Sequence, residues 1–218
     1  MNTVFKAVIF DMDGLLLDTE QVYFAGYRDA RTAMGLAAHD DGFLELIGLP
    51  LPAGRPLLHA HLGPATDAFL EQWDHEISQL MTDKIPAKPG VRAVMTQLQA
   101  RRIPYAIATS TYTQRAHAHL ARAGLDDLFT TVIGGDQVQN GKPAPDIYLA
   151  AAQALGVDPT DCAAFEDSEN GVRAAVAAGM TTVQVPDIKP PSADLLQLGH
   201  HVADTLLAGA RHLKLIEH

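Results

Sequence analysis

FDMDGLLLDT, the stretch from Phe10 to Thr19, places two aspartates directly after an apolar run that begins at Val4. A short continuous apolar run is typical of a strand buried in a parallel sheet. Asp11 and Asp13 are two residues apart, so in an extended backbone their side chains would address the same metal ion or substrate. A single DxD triplet has little specificity in a chain with nineteen aspartates. Whether this one belongs to a functional site therefore depends on the residues at the ends of the other strands.

The composition is typical of a soluble globular protein, because 47% of the 218 residues are hydrophobic and 19% are charged. No apolar run reaches the roughly twenty residues of a membrane-spanning helix, and residues 1–10 lack signal-peptide features. We therefore expect a cytoplasmic location. The formal net charge of −10, with no Lys/Arg cluster, argues against nucleic acid and anionic membranes as partners. An anionic substrate would need a local positive source, such as a divalent cation with one or two lysines.

The chain is predicted to contain a helical insert between the first strand and the rest of the sheet. Phe69, Trp73 and Ile77 recur at i, i+4 spacing, which predicts an amphipathic helix within this insert. The sequence IPAKPG, residues 85–90, has the prolines and glycine of a linker. We therefore predict an α/β core domain, residues 1–17 and 85–218, and a helical cap domain, residues 18–84.

Strand and helix signals alternate after the linker, which is typical of an α/β fold with a doubly wound parallel sheet. Predicted strands after the first span residues 103–109, 130–133, 162–165 and 181–185. Predicted helices span residues 91–101, 112–123, 145–155, 170–178 and 203–216, and residues 187–194 are predicted to be a loop. The single cysteine, Cys162, lies among apolar neighbours, which predicts a buried structural thiol without a catalytic role.

Polar side chains follow three of the predicted strands, and a lysine precedes a helix in the loop NGKPAPD. Ligands of open α/β sheets bind at the carboxyl ends of the strands, so these side chains should converge at one edge. The group comprises Asp11, Asp13, Thr109, Ser110, Lys142, Glu166 and Asp167.

Four sequence motifs occur in a fixed order: DMDGLLLDTE from Asp11, ATST around Thr109, GKPAPD around Lys142, and FEDSENG around Glu166. In this order and spacing they resemble those of the haloacid dehalogenase (HAD) superfamily of phosphotransferases, in the branch with a helical cap inserted after the first strand. Their wording is most similar to the β-phosphoglucomutase-like and sugar-phosphatase-like proteins. Four ordered motifs are far more specific than the DxD triplet alone.

The resemblance implies that Asp11 is the nucleophile that attacks phosphorus and forms an aspartyl phosphate. It implies that Asp13 is a general acid/base, which protonates the leaving oxygen and then activates water. Haloacid dehalogenases proper lack an aspartate at this position, so Asp13 favours phosphoryl transfer over dehalogenation.

By the same resemblance, the Thr109 hydroxyl and the Ser110 amide would bind the non-transferring phosphate oxygens. The alternative for Thr109 is that its hydroxyl caps the helix that follows. Lys142 would offset negative charge between the nucleophile and the phosphoryl group.

The implied cofactor is an octahedral Mg²⁺ bound by the carboxylates of Asp11 and Asp167 and by the main-chain carbonyl of Asp13. Glu166 would bind the ion directly or act through the ligands. Four further polar residues are predicted to be turn or helix-cap residues rather than ligands. They are Asp136, Asp146, Ser168 and Asn170.

The expected function is hydrolysis of a small phosphorylated metabolite, such as a sugar phosphate or a similar monoester, by a monomer or weak homodimer. Arg55 is the candidate cap residue for a substrate anion. The alternative is a phosphomutase of the β-phosphoglucomutase type, but a basic set for a second phosphate is not evident, which favours hydrolysis. A non-catalytic binding protein is disfavoured because the charged motif positions are filled. Leu15, Leu16 and Leu17 fall where the family has a flexible turn that couples core and cap.

Overall fold

The structure, a computed structural model, describes residues 5–47, 49, 51–82 and 84–217. Its strands are β1 (Ala7–Phe10), β2 (Tyr105–Ala108), β3 (Val132–Ile133), β4 (Cys162–Glu166), β5 (Thr181–Gln184) and β6 (His201–Val202). They form one sheet in the order β3-β2-β1-β4-β5-β6, and each neighbouring pair is parallel. The predicted α/β fold with a parallel sheet is confirmed, and β1 lies between β2 and β4.

The chain divides into two compact units, which are described separately. The α/β unit comprises Met1–Asp18 and Pro86–His218, and the helical unit comprises Thr19–Ile85. Among the described residues, the helical unit contains the α-helices α1 (Thr19–Ala33), α2 (Asp40–Leu44), α3 (Leu51–Leu62) and α4 (Thr66–Leu80).

Aromatic rings form the core of the helical unit. The ring centroid of Tyr27 lies 5.6 Å from that of Phe43, 5.3 Å from that of Phe69 and 5.5 Å from that of Trp73. The indole N–H of Trp73 donates to the carbonyl of Tyr23 at 3.0 Å, so its polar atom is satisfied while the ring packs. This aromatic cluster explains why the i, i+4 pattern of α4 is apolar on one side.

The α/β unit carries helices on both faces of its sheet. They are α5 (Val91–Ala100), α6 (Thr113–Arg122), α7 (Asp146–Leu155), α8 (Glu169–Ala177), α9 (Ala193–Leu196) and α10 (Leu206–His212). One core cluster packs alternate strand residues, including Ile9 and Ala164, against α7 and α8. On α10, a Cβ at Gly209 would lie 2.9 Å from the ring of Phe165, so the absent side chain lets this helix approach the sheet.

Several predicted elements have different limits in the structure. The first strand begins at Ala7 rather than Val4, which lies outside the described residues, and the strand predicted over residues 130–133 is reduced to β3. The closing helix predicted over residues 203–216 is shorter, because Thr205 caps α10 by accepting from the Ala208 N–H at 3.1 Å. Lys214 has a φ of 57°, which does not continue a right-handed helix. The prediction missed β6 and α9.

Cys162 is buried in β4, as predicted, and burial raises the pKa of its thiol to about 11. In the part of the chain that the structure describes, none of the helices combines the length and the apolar character needed to span a membrane.

Candidate active site

Three neighbouring strands end in polar residues at the carboxyl edge of the sheet. Asp11 follows β1, Thr109 follows β2, and Glu166 is the last residue of β4, with Asp167 directly after it. The Asp11 N–H donates to the Phe165 carbonyl at 2.9 Å, so the sheet ladder continues to this edge. Since β1 lies between β2 and β4, the parallel register gathers these side chains at one edge.

Lys142, from the loop before α7, joins two of these strand ends. Its ammonium donates to Oδ1 of Asp11 and, at 2.6 Å, to Oε1 of Glu166. The side chains of Lys142, Asp11 and Glu166 are 6%, 8% and 0% exposed. Burial alone would lower the pKa of Lys142, but the charges and hydrogen bonds of Asp11 and Glu166 outweigh that effect and raise it. Lys142 therefore remains charged between its two carboxylate partners.

The Glu166 carboxylate is surrounded by donors. Besides Lys142, its Oε1 accepts from the Tyr148 hydroxyl at 3.0 Å. Its Oε2 accepts from the N–H groups of Asp167 at 3.0 Å and Ser168 at 2.9 Å, and from the Ser168 hydroxyl at 3.0 Å. A carboxylate offers about four lone-pair sites, so Glu166 can ligate a metal only by giving up some of these contacts.

Gly171, in the first turn of α8, is what lets Glu166 occupy this position. A Cβ at residue 171 would lie 1.6 Å from Oε1 and 2.3 Å from Oε2 of Glu166. Any side chain here would collide with the carboxylate, so the packing of α8 beneath Glu166 requires a glycine.

Carboxylate oxygens of Asp11, Glu166 and Asp167 lie within 4.8 Å of one another, close enough to share one metal ion. Burial raises the pKa of Asp11 well above its usual range, the charges of Glu166 and Asp13 add to this, and Lys142 opposes it. The single positive charge of Lys142 does not balance the negative charges of the surrounding carboxylates, which belong to Asp11, Asp13, Glu166 and Asp167. A hard divalent cation with oxygen ligands fits both the donor set and the charge.

Asp13 has two oxygens in different surroundings. Its Oδ2 accepts from the hydroxyls of Thr111 at 2.8 Å and Thr109 at 3.3 Å. Its Oδ1 is buried and, among the described residues, has no hydrogen-bond partner. The nearest ionisable partner of Oδ1 is Nδ1 of His119 at 4.0 Å, beyond hydrogen-bond distance. Oδ1 is therefore shielded from solvent and lies nearest to His119, whereas Oδ2 lies against hydroxyl donors.

Two predicted site residues lie apart from these contacts. Ser110 is exposed. Its carbonyl oxygen packs against Gly135, where an added Cβ would lie 2.5 Å from that oxygen. Arg55 lies in the helical unit, where its guanidinium forms an exposed ion pair with Asp67.

The turn and cap residues have specific contacts. Oδ1 of Asp136 accepts from the Thr113 N–H at 2.7 Å, so Asp136 satisfies the start of α6. The alternative that Thr109 caps α6 is wrong, because its Oγ1 accepts from the Thr111 N–H at 3.0 Å, before the helix begins. Ser168 caps α8 by accepting from the Gly171 N–H at 3.1 Å, as predicted.

Sequence reasoning missed Tyr148, Thr111, His119 and Gly171. Tyr148 lies six residues after Lys142, and its spacing from Ala151 and Ala152 indicates the buried face of α7 but not its contact with Glu166. Thr111 lies within the ATST motif, so its hydroxyl was a signal that the motif offered. His119 shares the buried face of α6 with Ala116 and Leu120, so its spacing was a signal for burial but not for its position near Asp13.

Comparisons with known proteins agree with this geometry. The sequence model of a hydrolase family, described as haloacid dehalogenase-like hydrolase, matches residues 5–179. A phosphorylated carbohydrates phosphatase from Thermotoga maritima is 37% identical over 180 residues, which cover 82% of this chain and 83% of that protein. Fructose-1-phosphate phosphatase YqaB from Escherichia coli is 36% identical over 185 residues, which cover 83% and 96%, respectively.

A solved structure extends the similarity to the fold. A HAD family hydrolase from Deinococcus radiodurans R1, with bound phosphate and sodium, has a TM-score of 0.81 at 29% identity and 98% coverage of both chains. The resemblance predicted from the four motifs is thereby confirmed. With a family match over residues 5–179, this chain belongs to the haloacid dehalogenase-like hydrolase family.

Proposed function

We propose that this protein is a Mg²⁺-dependent phosphatase that hydrolyses a small phosphorylated metabolite, such as a sugar phosphate or a similar monoester. The observation that carries this proposal is the buried ammonium of Lys142, which contacts Asp11 and Glu166 beside Asp167. A cation in this position reduces the repulsion between a carboxylate nucleophile and an incoming phosphoryl group. The relatives named for phosphorylated carbohydrates and for fructose 1-phosphate support the same substrate class.

In the first step, a carboxylate oxygen of Asp11 attacks phosphorus and the bond to the leaving oxygen breaks. Asp13 gives its proton to that oxygen, which leaves as an alcohol. The product on the enzyme is a phosphoryl group bound to Asp11 as a mixed anhydride.

In the second step, the Asp13 carboxylate takes a proton from a water molecule, which attacks the phosphoryl group. The bond to Asp11 breaks, inorganic phosphate leaves, and Asp11 returns as a carboxylate. Asp13 regains its proton from the water that attacks, so the cycle closes without a further reactant.

Asp11 and Asp167 would hold the Mg²⁺ through carboxylate oxygens, with the main-chain carbonyl of Asp13 as a further ligand. When bound, the ion neutralises charge on the phosphoryl oxygens and orients them for attack. Glu166 is assigned to positioning Lys142 and the Asp167–Ser168 turn, because its oxygens already accept from several donors. The Thr109 hydroxyl and the Ser110 amide are assigned to the non-transferring phosphate oxygens.

The helical unit is assigned the role of a cap that selects the substrate, with Leu15–Leu17 as the turn that leads into it. Arg55 is the candidate for a substrate anion in this unit. A cytoplasmic location and a monomeric or weakly dimeric state stay predictions.

The test is phosphate release from a panel of sugar phosphates and other monoesters by wild type and Asp11→Asn, with Mg²⁺ and with a chelator. Asp11→Asn should lower kcat at least about 10³-fold, since it removes the nucleophile. Asp161→Asn is the matched control, because it changes an aspartate that pairs with Lys6 at an exposed site. Full activity of Asp11→Asn would contradict the mechanism, and isomerisation without phosphate release would show a mutase.

A further inference from the structure

His119 is a fully buried polar side chain to which the mechanism above gives no role. It lies on α6, and its side chain is 2% exposed. Its Nε2 accepts from Nε of Arg115 at 3.4 Å, one helical turn earlier. Its Nδ1 is buried and lacks a hydrogen-bond partner within the described part of the chain. A buried polar atom without a hydrogen-bond partner lowers the stability of the fold, so the position of Nδ1 indicates a functional constraint.

The hydrogen bond from Arg115 fixes where the imidazole proton lies. A guanidinium only donates, so Nε2 must be the acceptor nitrogen of the neutral ring. The proton of the neutral ring is then on Nδ1, the nitrogen that faces Asp13. The geometry of one contact therefore determines the tautomer at the other side of the ring.

Nδ1 of His119 and Oδ1 of Asp13 are both buried, both lack a hydrogen-bond partner among the described residues, and lie 4.0 Å apart. On the other side of the carboxyl group, Oδ2 of Asp13 accepts from Thr111 and Thr109. The carboxyl group of Asp13 is thus flanked by hydroxyl donors at one oxygen and by a ring N–H at the other.

We propose that His119 is a positioning residue for Asp13, with its Nδ1–H directed at the buried Oδ1 so that the carboxyl group keeps the orientation needed for proton transfer to the leaving group. At 4.0 Å the N–H acts as an oriented dipole in a buried site rather than through a formed hydrogen bond. This inference rests on the proposed function.

The effect of a role in orienting Asp13 should depend on the leaving group. An alkoxide is a poor leaving group that needs a proton, whereas p-nitrophenolate leaves with little assistance. Since kcat/KM reports the steps up to departure of the leaving group, loss of His119 should affect alkyl phosphates more than p-nitrophenyl phosphate. A merely structural defect would lower both values alike.

The experiment compares kcat/KM for p-nitrophenyl phosphate and for the sugar phosphate that wild type hydrolyses best, in the Mg²⁺-loaded full chain. His119→Leu should lower the sugar phosphate value about tenfold and leave the aryl value within about twofold. His119→Asn, whose amide places an N–H near the position of Nδ1, should restore most of the loss. His117→Leu is the matched control, because His117 is exposed on the same helix.

Nitrogen NMR of the histidine ring provides a readout that is independent of activity. Wild type should show His119 as the Nδ1–H tautomer, and Arg115→Met, at an exposed position, should shift it toward the Nε2–H tautomer. The proposal would be overturned if wild type showed the Nε2–H tautomer. It would also be overturned if His119→Leu lowered kcat/KM equally for the two substrates or for neither. A wild type that releases no phosphate from any monoester would overturn the proposed function and this inference together, whereas an active wild type with an unchanged variant would overturn this inference alone.

Discussion

The α/β unit buries three charged side chains in contact with one another at the ends of β1 and β4. The helical unit buries a cluster of aromatic rings together with Arg31, whose guanidinium donates to the Ala37 carbonyl and the Tyr27 hydroxyl. Lys142, Asp11 and Glu166 are almost fully excluded from solvent and are held by specific donors. In the helical unit, the Arg55–Asp67 ion pair has side chains that are 52% and 71% exposed. Burial of a charged side chain costs desolvation free energy unless the charge is paired, so clusters of buried charges indicate functional sites.

This difference explains why chemistry can be derived from one unit and not from the other. Aromatic packing stabilises the helical unit through burial and tolerates many arrangements of the polar surface. At the sheet edge, the charged groups of Lys142, Asp11 and Glu166 are held by contacts with one another. Variants at the sheet edge should therefore change activity strongly, and variants of exposed charges in the helical unit should change it little or only through KM.

The largest effect is expected for Lys142→Met, which removes the cation but keeps an unbranched side chain of similar length. The activity should fall about 10³-fold, because the nucleophile and the phosphoryl group lose their shared counter-charge. The free energy of unfolding at pH 7 should fall by about 3 kcal/mol, since buried carboxylates are left without their partner. Lys189→Met, at an exposed loop position, is the control and should change neither quantity in assays of phosphate release and urea unfolding.

The same variant makes a prediction about pH. The folded-state pKa of Asp11 is raised above the usual 3.8 by burial, and removal of Lys142 removes the charge that opposes this. The folded protein then binds more protons than the unfolded chain above pH 3.8, so its stability should fall as pH rises through the raised pKa. Unfolding of Lys142→Met in a chelator should therefore require more urea at pH 5 than at pH 7, relative to wild type. The opposite trend would show that Asp11 does not carry the buried charge.

Gly171→Ala should have the next largest effect. Alanine normally stabilises a helix relative to glycine, but a Cβ here would lie 1.6 Å from Oε1 of Glu166. Displacement of Glu166 should lower kcat about 10²-fold and lower the melting temperature by several degrees. In the background of Glu166→Ala, the same substitution has nothing to displace, so a double-mutant cycle should show strong coupling. If the effects of Gly171→Ala and Glu166→Ala were additive, the loss in Gly171→Ala would not arise from displacement of Glu166.

Tyr148→Phe should have a smaller effect, because it removes only the hydroxyl that donates to Oε1 of Glu166 at 3.0 Å. We expect a loss of about 1 kcal/mol in stability and about a fivefold decrease in kcat. Tyr105→Phe is a matched control, since the Tyr105 hydroxyl donates to the Leu128 carbonyl at 2.9 Å, and Tyr105 begins β2. It should lose comparable stability without a decrease in kcat; equal kinetic losses would point to general loosening of the sheet.

The smallest effect on stability is expected for Arg55→Ala. An exposed ion pair contributes about 0–1 kcal/mol, so the melting temperature should change little. If Arg55 contacts the substrate, KM should rise severalfold at nearly constant kcat. Asp67→Ala removes the other member of the pair and serves as the control, which should leave KM unchanged or lower. An unchanged KM in Arg55→Ala would remove this residue from the substrate site.

The positions of the strand ends could be predicted from sequence because apolar runs mark the strands and polar residues follow them directly. Asp11, Thr109 and Glu166 follow from this pattern together with the parallel order of the strands. β6 could not be predicted, since it has only two residues, His201 and Val202, and both are exposed.

Residues that act from helices were harder to predict than residues at strand ends. Helical spacing indicates that Tyr148 and His119 lie on the buried faces of α7 and α6. It does not indicate which polar atom of the site each side chain faces, because that is a tertiary contact. The requirement for glycine at residue 171 depends on where the Glu166 side chain lies, which is a tertiary contact. The chemistry was therefore predictable from the motifs, but the residues that position it were not.

Direct detection of a phosphoryl group on Asp11 tests the central claim most closely. The Mg²⁺-loaded enzyme would be mixed with its best substrate, quenched in acid within milliseconds, digested with pepsin and analysed by mass spectrometry. The account predicts one acid-stable, base-labile phosphoryl group on the peptide that contains Asp11, and none in Asp11→Asn. Phosphate release by wild type with no phosphoryl group on that peptide at any time, or with the group on another residue, would contradict it.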